Sequence, residues 1–158
     1  MITLFKTILK KKNPALSLKP ERDPVRYELE KAASTSQDAA LRMKLAKDPK
    51  THQEILYYMA ENDASPEVRR AVAKNLATPI LACGVIAQDP SVDVRLALAE
   101  RLVRMLPELS QEDYSQLYAI AVKALATLAM DEVLRVRIAL SSALKDHAYA
   151  PVPVVTQL

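Results

Sequence analysis

Glycine is nearly absent: Gly84 is the only one in 158 residues. Phosphate-cradling loops need backbone without a Cβ, so every Gly-rich nucleotide motif is excluded. A β-rich fold with tight hairpins loses its commonest turn residue for the same reason. Tryptophan is missing and phenylalanine occurs once. The core must therefore be built from Leu, Ile, Val, Ala and Met, a mixture that favours helices over strands. Cys83 is the single cysteine, which rules out an intrachain disulfide and a Cys-based zinc site. Set in the apolar run "LACGVIA", it reads as a packed, inert thiol. No window approaches the roughly 20 apolar residues of a membrane-spanning helix. The leading "MITLFKTILKKK" has its basic run after the apolar residues, opposite to a secretory signal. The expected location is the cytoplasm.

Net charge is small once the first twelve residues are set aside. They hold four lysines and no acid, leaving eighteen basic and nineteen acidic side chains for the rest. The body is close to neutral, and the basic isoelectric point is set by a tail. Ile2, Leu4, Phe5, Ile8 and Leu9 give that tail an apolar face, followed by lysines. This suits peripheral contact with an anionic membrane through residues 1–12, or docking on the protein's own first repeat. Residues 1–22 read as this basic segment plus a Pro-containing linker, and 23–158 as one helical repeat domain. "APVPVVTQL" reads as a further helix cut short, as if the chain were truncated at its C-terminus.

What the chain has is repetition. Leu41-Arg42, Val68-Arg69, Val94-Arg95 and Val136-Arg137 recur at spacings of 27, 26 and 42 residues. "THQEILYYMAEND" and "TPILACGVIAQD" also rhyme, 27 residues apart. Each unit reads as two short helices, and a period of this size denotes stacked building blocks. The predicted helices lie near 3–11, 24–34, 37–47, 52–61, 66–74, 79–88, 92–105, 111–130 and 133–147. The 42-residue spacing is assigned to growth of the helix over 111–130. Thr51 with Glu54 fits a capping box, Thr78-Pro79 and Ser65-Pro66-Glu67 fit cap-plus-proline starts, and Ser91 with Asp93 repeats the logic. Glu112-Asp113 and Asp131-Glu132 suit positive helix ends, and His147 a negative one.

In the second helix of each unit, Val68, Ala71, Val72 and Asn75 share one face. So do Val94, Ala97, Leu98, Arg101 and Leu102, and Val136, Ala139, Leu140 and Leu144. Helices this short cannot bury such stripes in isolated pairs, so the pairs must stack. An Asp stands six residues before the Arg in three units: Asp63/Arg69, Asp89/Arg95 and Asp131/Arg137.

These residues resemble the HEAT-repeat class. The resemblance implies an all-α, right-handed α–α superhelix, here of about four short helix pairs. It also implies a structural ladder in which the Asp of one unit bonds the Arg of the next. "SPEVRRAVAKNLATP", "DPSVDVRLALAERL" and "VLRVRIALSSALKD" further resemble a bacterial family, domain of unknown function 2336, over roughly residues 30–158. That family brings an architecture and no activity. A looser likeness is to leucine-rich-repeat-variant proteins, whose iron–sulfur cysteine cluster a single cysteine cannot supply.

No HExxH, Ser/His/Asp set or carboxylate-rich loop is present. The expectation is therefore a non-catalytic protein-interaction scaffold with no cofactor, no metal and no catalytic residues. His52 reads as a solvated surface residue. Candidate partner contacts are Tyr57 and Tyr58, adjacent on one helix, and the basic residues Arg70, Lys74, Arg101 and Arg104. The alternative is a nucleic-acid-binding solenoid, disfavoured by the near-neutral body. An alkyl-DNA-glycosylase-like repair protein ranks lower still, because no Trp is available to stack on a lesion.

Overall fold

A computed structural model describes residues 23–111 and 114–158. The expected helix over 3–11, the membrane contact of residues 1–12, nearly all of the linker and the pair Glu112-Asp113 lie outside them. All the regular structure among the described residues is helical. Backbone contacts divide the chain into two compact units, Met1–Pro79 and Ile80–Leu158.

The first unit contains α1 (Pro24–Ser34), α2 (Ala39–Lys47), α3 (Gln53–Asn62) and α4 (Pro66–Lys74). Short polar residues start three of them. Asp23 accepts the Val25 and Arg26 N–H groups, Asp38 that of Ala40, and Ser65 that of Val68. These contacts satisfy donors that the first helical turn leaves open. The apolar stripe of α3, Ile55, Leu56, Met59 and Ala60, is fully buried, as are Val68 and Val72 of α4. α1 packs on α2 and α3 on α4 as hairpins; between hairpins, α1 meets α3 and α2 meets α4. First helices thus form one layer and second helices another.

The ends of the second helices are fastened by a repeated polar device. Thr51 Oγ donates to Leu45 O at 2.8 Å, and Thr78 Oγ to Val72 O at 2.6 Å. Asp48 Oδ1 accepts the Lys50 N–H, as Asn75 Oδ1 accepts that of Ala77. The Asn75 amide then reaches back across the layer to Ala46 O (2.8 Å) and Asp48 O (3.0 Å). Here the expected Thr51–Glu54 capping box gives way. The helix starts one residue later, with His52 at its N-cap, and the threonine hydroxyl closes the preceding helix instead.

The second unit begins with a 3₁₀ turn, Ile80–Ala82, followed by α5 (Cys83–Ile86), α6 (Val92–Leu109), α7 (Ser115–Ala129), α8 (Leu134–Leu144) and α9 (Val152–Val155). The same layering holds: α6 packs on α8, while α7 meets both α5 and α9. Leu98, Leu102, Leu106, Leu125, Leu128 and Leu140 are fully buried. The helix expected over 79–88 is broken into the 3₁₀ turn and a single α turn. The long spacing between Arg95 and Arg137 has two sources rather than one. α6 runs 18 residues against 9 in α4, and α7 runs 15 against 10 in α3. α6 even continues through Pro107, whose missing N–H removes one interior donor. Ser91 makes no side-chain cap; its own N–H donates to Asp89 Oδ1 instead. His147 lies beyond α8, in a turn where Nδ1 accepts the Tyr149 N–H. Asp146, with φ of 60°, turns the chain there.

Gly84 meets nothing within 4 Å where a Cβ would stand. Gly84→Ala is therefore expected to stabilise the fold by about 0.5–1 kcal/mol through a less flexible unfolded chain. Urea titration would measure this, and a loss of stability would contradict it.

Candidate functional site

One template recurs at the four repeated apolar-Arg positions, Arg42, Arg69, Arg95 and Arg137. The guanidinium reaches back over its own turn and donates from Nη1 to the carbonyl six residues earlier. The pairs are Arg42 to Ser36, Arg69 to Asp63 and Arg95 to Asp89, each at 2.7 Å, and Arg137 to Asp131 at 2.5 Å. The turn Asp holds its own loop through Oδ1, which accepts the N–H two residues on: Ser65, Ser91 and Val133. In the first turn Ser36 takes that role with Oγ on the Asp38 N–H.

The remaining edge of the guanidinium crosses to the next hairpin. In the first unit Arg42 Nε donates to Asp63 Oδ2 at 2.8 Å, and Nη2 faces Oδ1 at 3.4 Å. In the second, Arg95 Nε and Nη2 donate to Asp131 Oδ2 and Oδ1 at 2.6 and 3.0 Å. These are two-pronged, charge-assisted contacts. The direction is the reverse of the expected one: the Arg of the earlier pair bonds the Asp of the later. The cause is geometric, because each Arg already caps its own turn and only its outer edge is left for a neighbour. Arg42 was not among the expected ladder residues, since Ser36 stands where its Asp would be. Its 27-residue offset from Arg69 is the signal that finds it.

Burial by itself would raise the pKa of Asp131. The bonds from Arg95 and the Val133 N–H, with the charges of Arg95 and Arg137, outweigh it and hold the group below the ordinary carboxylate range.

A second polar cluster was not foreseen. Glu30, on α1, accepts from Arg26 Nε (2.6 Å) through Oε1, and its Oε2 accepts the His52 N–H (2.7 Å) and faces His52 Nδ1 at 2.8 Å. His52 Nε2 accepts the Asp23 N–H at 3.1 Å, which fixes the proton on Nδ1. Tyr27 packs edge-on against the ring. The His52 side chain is only 8% exposed, so the solvated reading is corrected: His52 joins α1 to the start of α3. With both ring nitrogens engaged, it is not free to act as a general base. Burial pushes Glu30 upward, but the His52 and Arg26 hydrogen bonds more than compensate, leaving it below its usual value.

The expected partner contacts divide sharply. Arg101 is fully buried, and its Nη2 lies 4.0 Å from Cys83 Sγ. Burial lowers the Arg101 pKa and raises that of Cys83. Arg101 is thus no surface contact, and it stands 26 residues after Asn75, in the same register of the second helix. Arg70 and Lys74, one turn apart on α4, are exposed, as is Arg104 on α6. Tyr57 is half-buried, whereas Tyr58 is 44% exposed. Tyr58 lines a cleft of about 260 Å³ in the first unit, together with Ser36, Gln37, Arg42, Asn62 and Asp63. Arg42 and Asp63 neutralise each other there, so the cleft offers neutral hydrogen-bonding groups beside an aromatic ring.

Among the described residues no group of three His, Cys, Asp or Glu side chains could hold a metal ion. No helix among them is long and apolar enough to cross a membrane. No protein-family model, curated protein or solved structure matches the chain.

Arg95→Ala strands the buried Asp131 and is expected to destabilise by about 2–4 kcal/mol in denaturant titration. Arg135→Ala removes only an exposed 3.5 Å pair with Asp93 and should change stability by less than about 0.5 kcal/mol. Equal effects would refute the distinction. Because Asp131 and Glu30 have depressed values when folded, their stabilisation is complete above the unfolded carboxylate range. It should be lost as pH falls below about 4. Asp131→Asn should be less stable at neutral pH and show a shallower acid loss, read from urea midpoints across the acid range.

Proposed function

We propose that this chain is a non-catalytic protein-interaction scaffold, a HEAT-like α-solenoid akin to the bacterial domain of unknown function 2336 family and working in the cytoplasm. The observation that carries this reading is the arginine template. In both units it joins successive hairpins through a buried Arg–Asp pair, as stacked repeats require. The buried Asp63, Arg95 and Asp131 side chains thereby serve packing. What is left for recognition is surface: Tyr58 at the edge of a neutral cleft, and the exposed Arg70 and Lys74. An exposed tyrosine beside a concavity is the residue type on which protein contacts concentrate their energy.

Nucleic-acid binding is the second reading, and the burial of Arg101 and neutralisation of Arg42 weaken it. Lys44, Lys47, Arg70, Lys74, Arg104 and Arg135 stay exposed on the described second helices, but the near-neutral charge of the body dilutes them.

Two measurements test the proposal. A protein retained by the full chain from a cell extract should be depleted roughly tenfold when the bait carries Tyr58→Ala and Arg70→Glu, with helix content unchanged. Duplex DNA should show no mobility shift at about 50 mM salt. Undiminished capture by the double variant would count against the cleft, and salt-sensitive DNA binding would replace the scaffold with the second reading.

A further inference from the structure

The cleft beside Tyr58 is more than a by-product of the arginine template. Its walls are the turn between α1 and α2 and the end of α3 with the turn that follows. Of the described residues lining it, only Arg42 and Asp63 are charged. They hold each other in a two-pronged pair, so a charged group entering the cleft meets no free counter-charge. What the walls do offer is open hydrogen bonding. The backbone N–H groups of Gln37 and Ala64 have no partner among the described residues, and neither has the Gln37 side-chain amide. Asn62 Nδ2 donates to Tyr58 O at 2.9 Å, which leaves its Oδ1 open as an acceptor. The Tyr58 ring, 44% exposed, stands beside them. The second unit repeats the ion pair, as Arg95–Asp131, but not its surroundings. Counted back from the aspartate, Ala126 stands where Tyr58 does and Met130 where Asn62 does; Glu132 replaces Ala64. Pro90, which has no N–H, replaces Gln37. With the same pair in place, the second unit lacks the ring, both amides and one donor, and gains a carboxylate.

We infer that this cleft is a recognition pocket for a carboxamide, an Asn or Gln side chain carried on an uncharged segment of the partner protein. A primary amide is neutral, and it holds an acceptor oxygen and a donor NH₂ in one plane. Its oxygen takes the open N–H groups of the walls, its NH₂ donates to Asn62 Oδ1, and its flat face lies on the Tyr58 ring. The space, about 260 Å³, is smaller than the pockets of drug-sized ligands and suits a single side chain. A carboxylate or an ammonium is rejected, because it binds only by pulling Arg42 and Asp63 apart and leaving one of them unpaired. The inference deepens the scaffold reading and rests on it: it names the chemistry of what the partner sets against Tyr58.

The test is an amide NMR titration of the full chain with N-acetyl-glutamine methylamide, a blocked single residue, and with its Glu and Lys counterparts. Saturable shifts of the Gln37 and Ala64 amide signals are expected at millimolar probe, the weak end of ordinary affinities. The Glu and Lys probes should bind roughly tenfold more weakly or worse. Tyr58→Ala should weaken binding about tenfold. Gln37→Ala, at an exposed position outside the helices, should weaken it with the fold intact, which keeps the inference testable if Tyr58→Ala unfolds. Arg70→Glu, which does not line the cleft, should leave it unchanged. No saturable shift of Gln37 and Ala64 up to about 100 mM probe, or equal binding of a charged probe, would overturn the inference. So would tighter binding of a neutral methyl glucoside, which would assign the cleft to a sugar. A partner retained from an extract through Tyr58 while the glutamine probe fails would also overturn it, and would leave the scaffold reading standing.

Discussion

An arginine held at both edges is the constraint on which the described structure depends. One edge closes the turn of its own hairpin by gripping a carbonyl; the other crosses to a carboxylate in the following hairpin. The first grip prepares the second. A guanidinium fixed on its own turn loses little further freedom when it takes up a neighbouring Asp, so the crossing bond forms at low entropic cost. The carboxylate is likewise fixed beforehand, because its Oδ1 also holds the N–H two residues on. Such a pair stabilises through preorganisation, and Coulomb attraction across a partly buried boundary adds to it without dominating.

The apolar packing follows the same frame. Helices of nine to eleven residues carry too narrow a stripe to stand in isolated pairs, and Val68, Val72, Ile55 and Met59 are buried because hairpins lie on hairpins. The lengthening of α6 and α7 leaves the register of the turn residues intact, since the extra turns are added away from the Asp-Arg end. This explains how a spacing of 42 sits beside one of 27 without breaking the template.

Much of this was legible in the sequence, because it is local. Helical period, cap chemistry and the six-residue Asp–Arg spacing all act within one hairpin, and α1 and α4 fall where they are expected. What was not legible depends on neighbours. Nothing in Glu30 or His52 announces that 22 residues of separation close to hydrogen-bond distance, so His52 reads as solvated. Arg101 carries two conflicting signals: it lies on the apolar face with Val94, Ala97 and Leu98, yet as a cation it suggests surface. Its position on that face was the better guide. The direction of the Arg–Asp bond is likewise invisible to spacing, because the same two positions serve either order.

Asn75 and Asp48 occupy equivalent positions, but only the asparagine extends a donor to the carbonyls of Ala46 and Asp48. Spontaneous deamidation at Asn75 would set a carboxylate against those two oxygens, turning a clasp into a repulsion inside an interior that excludes water. Replacement of a single NH₂ group by oxygen, a routine lesion of protein ageing, would thus pry neighbouring hairpins apart. Shelter of this side chain within the fold therefore bears on how long the molecule lasts.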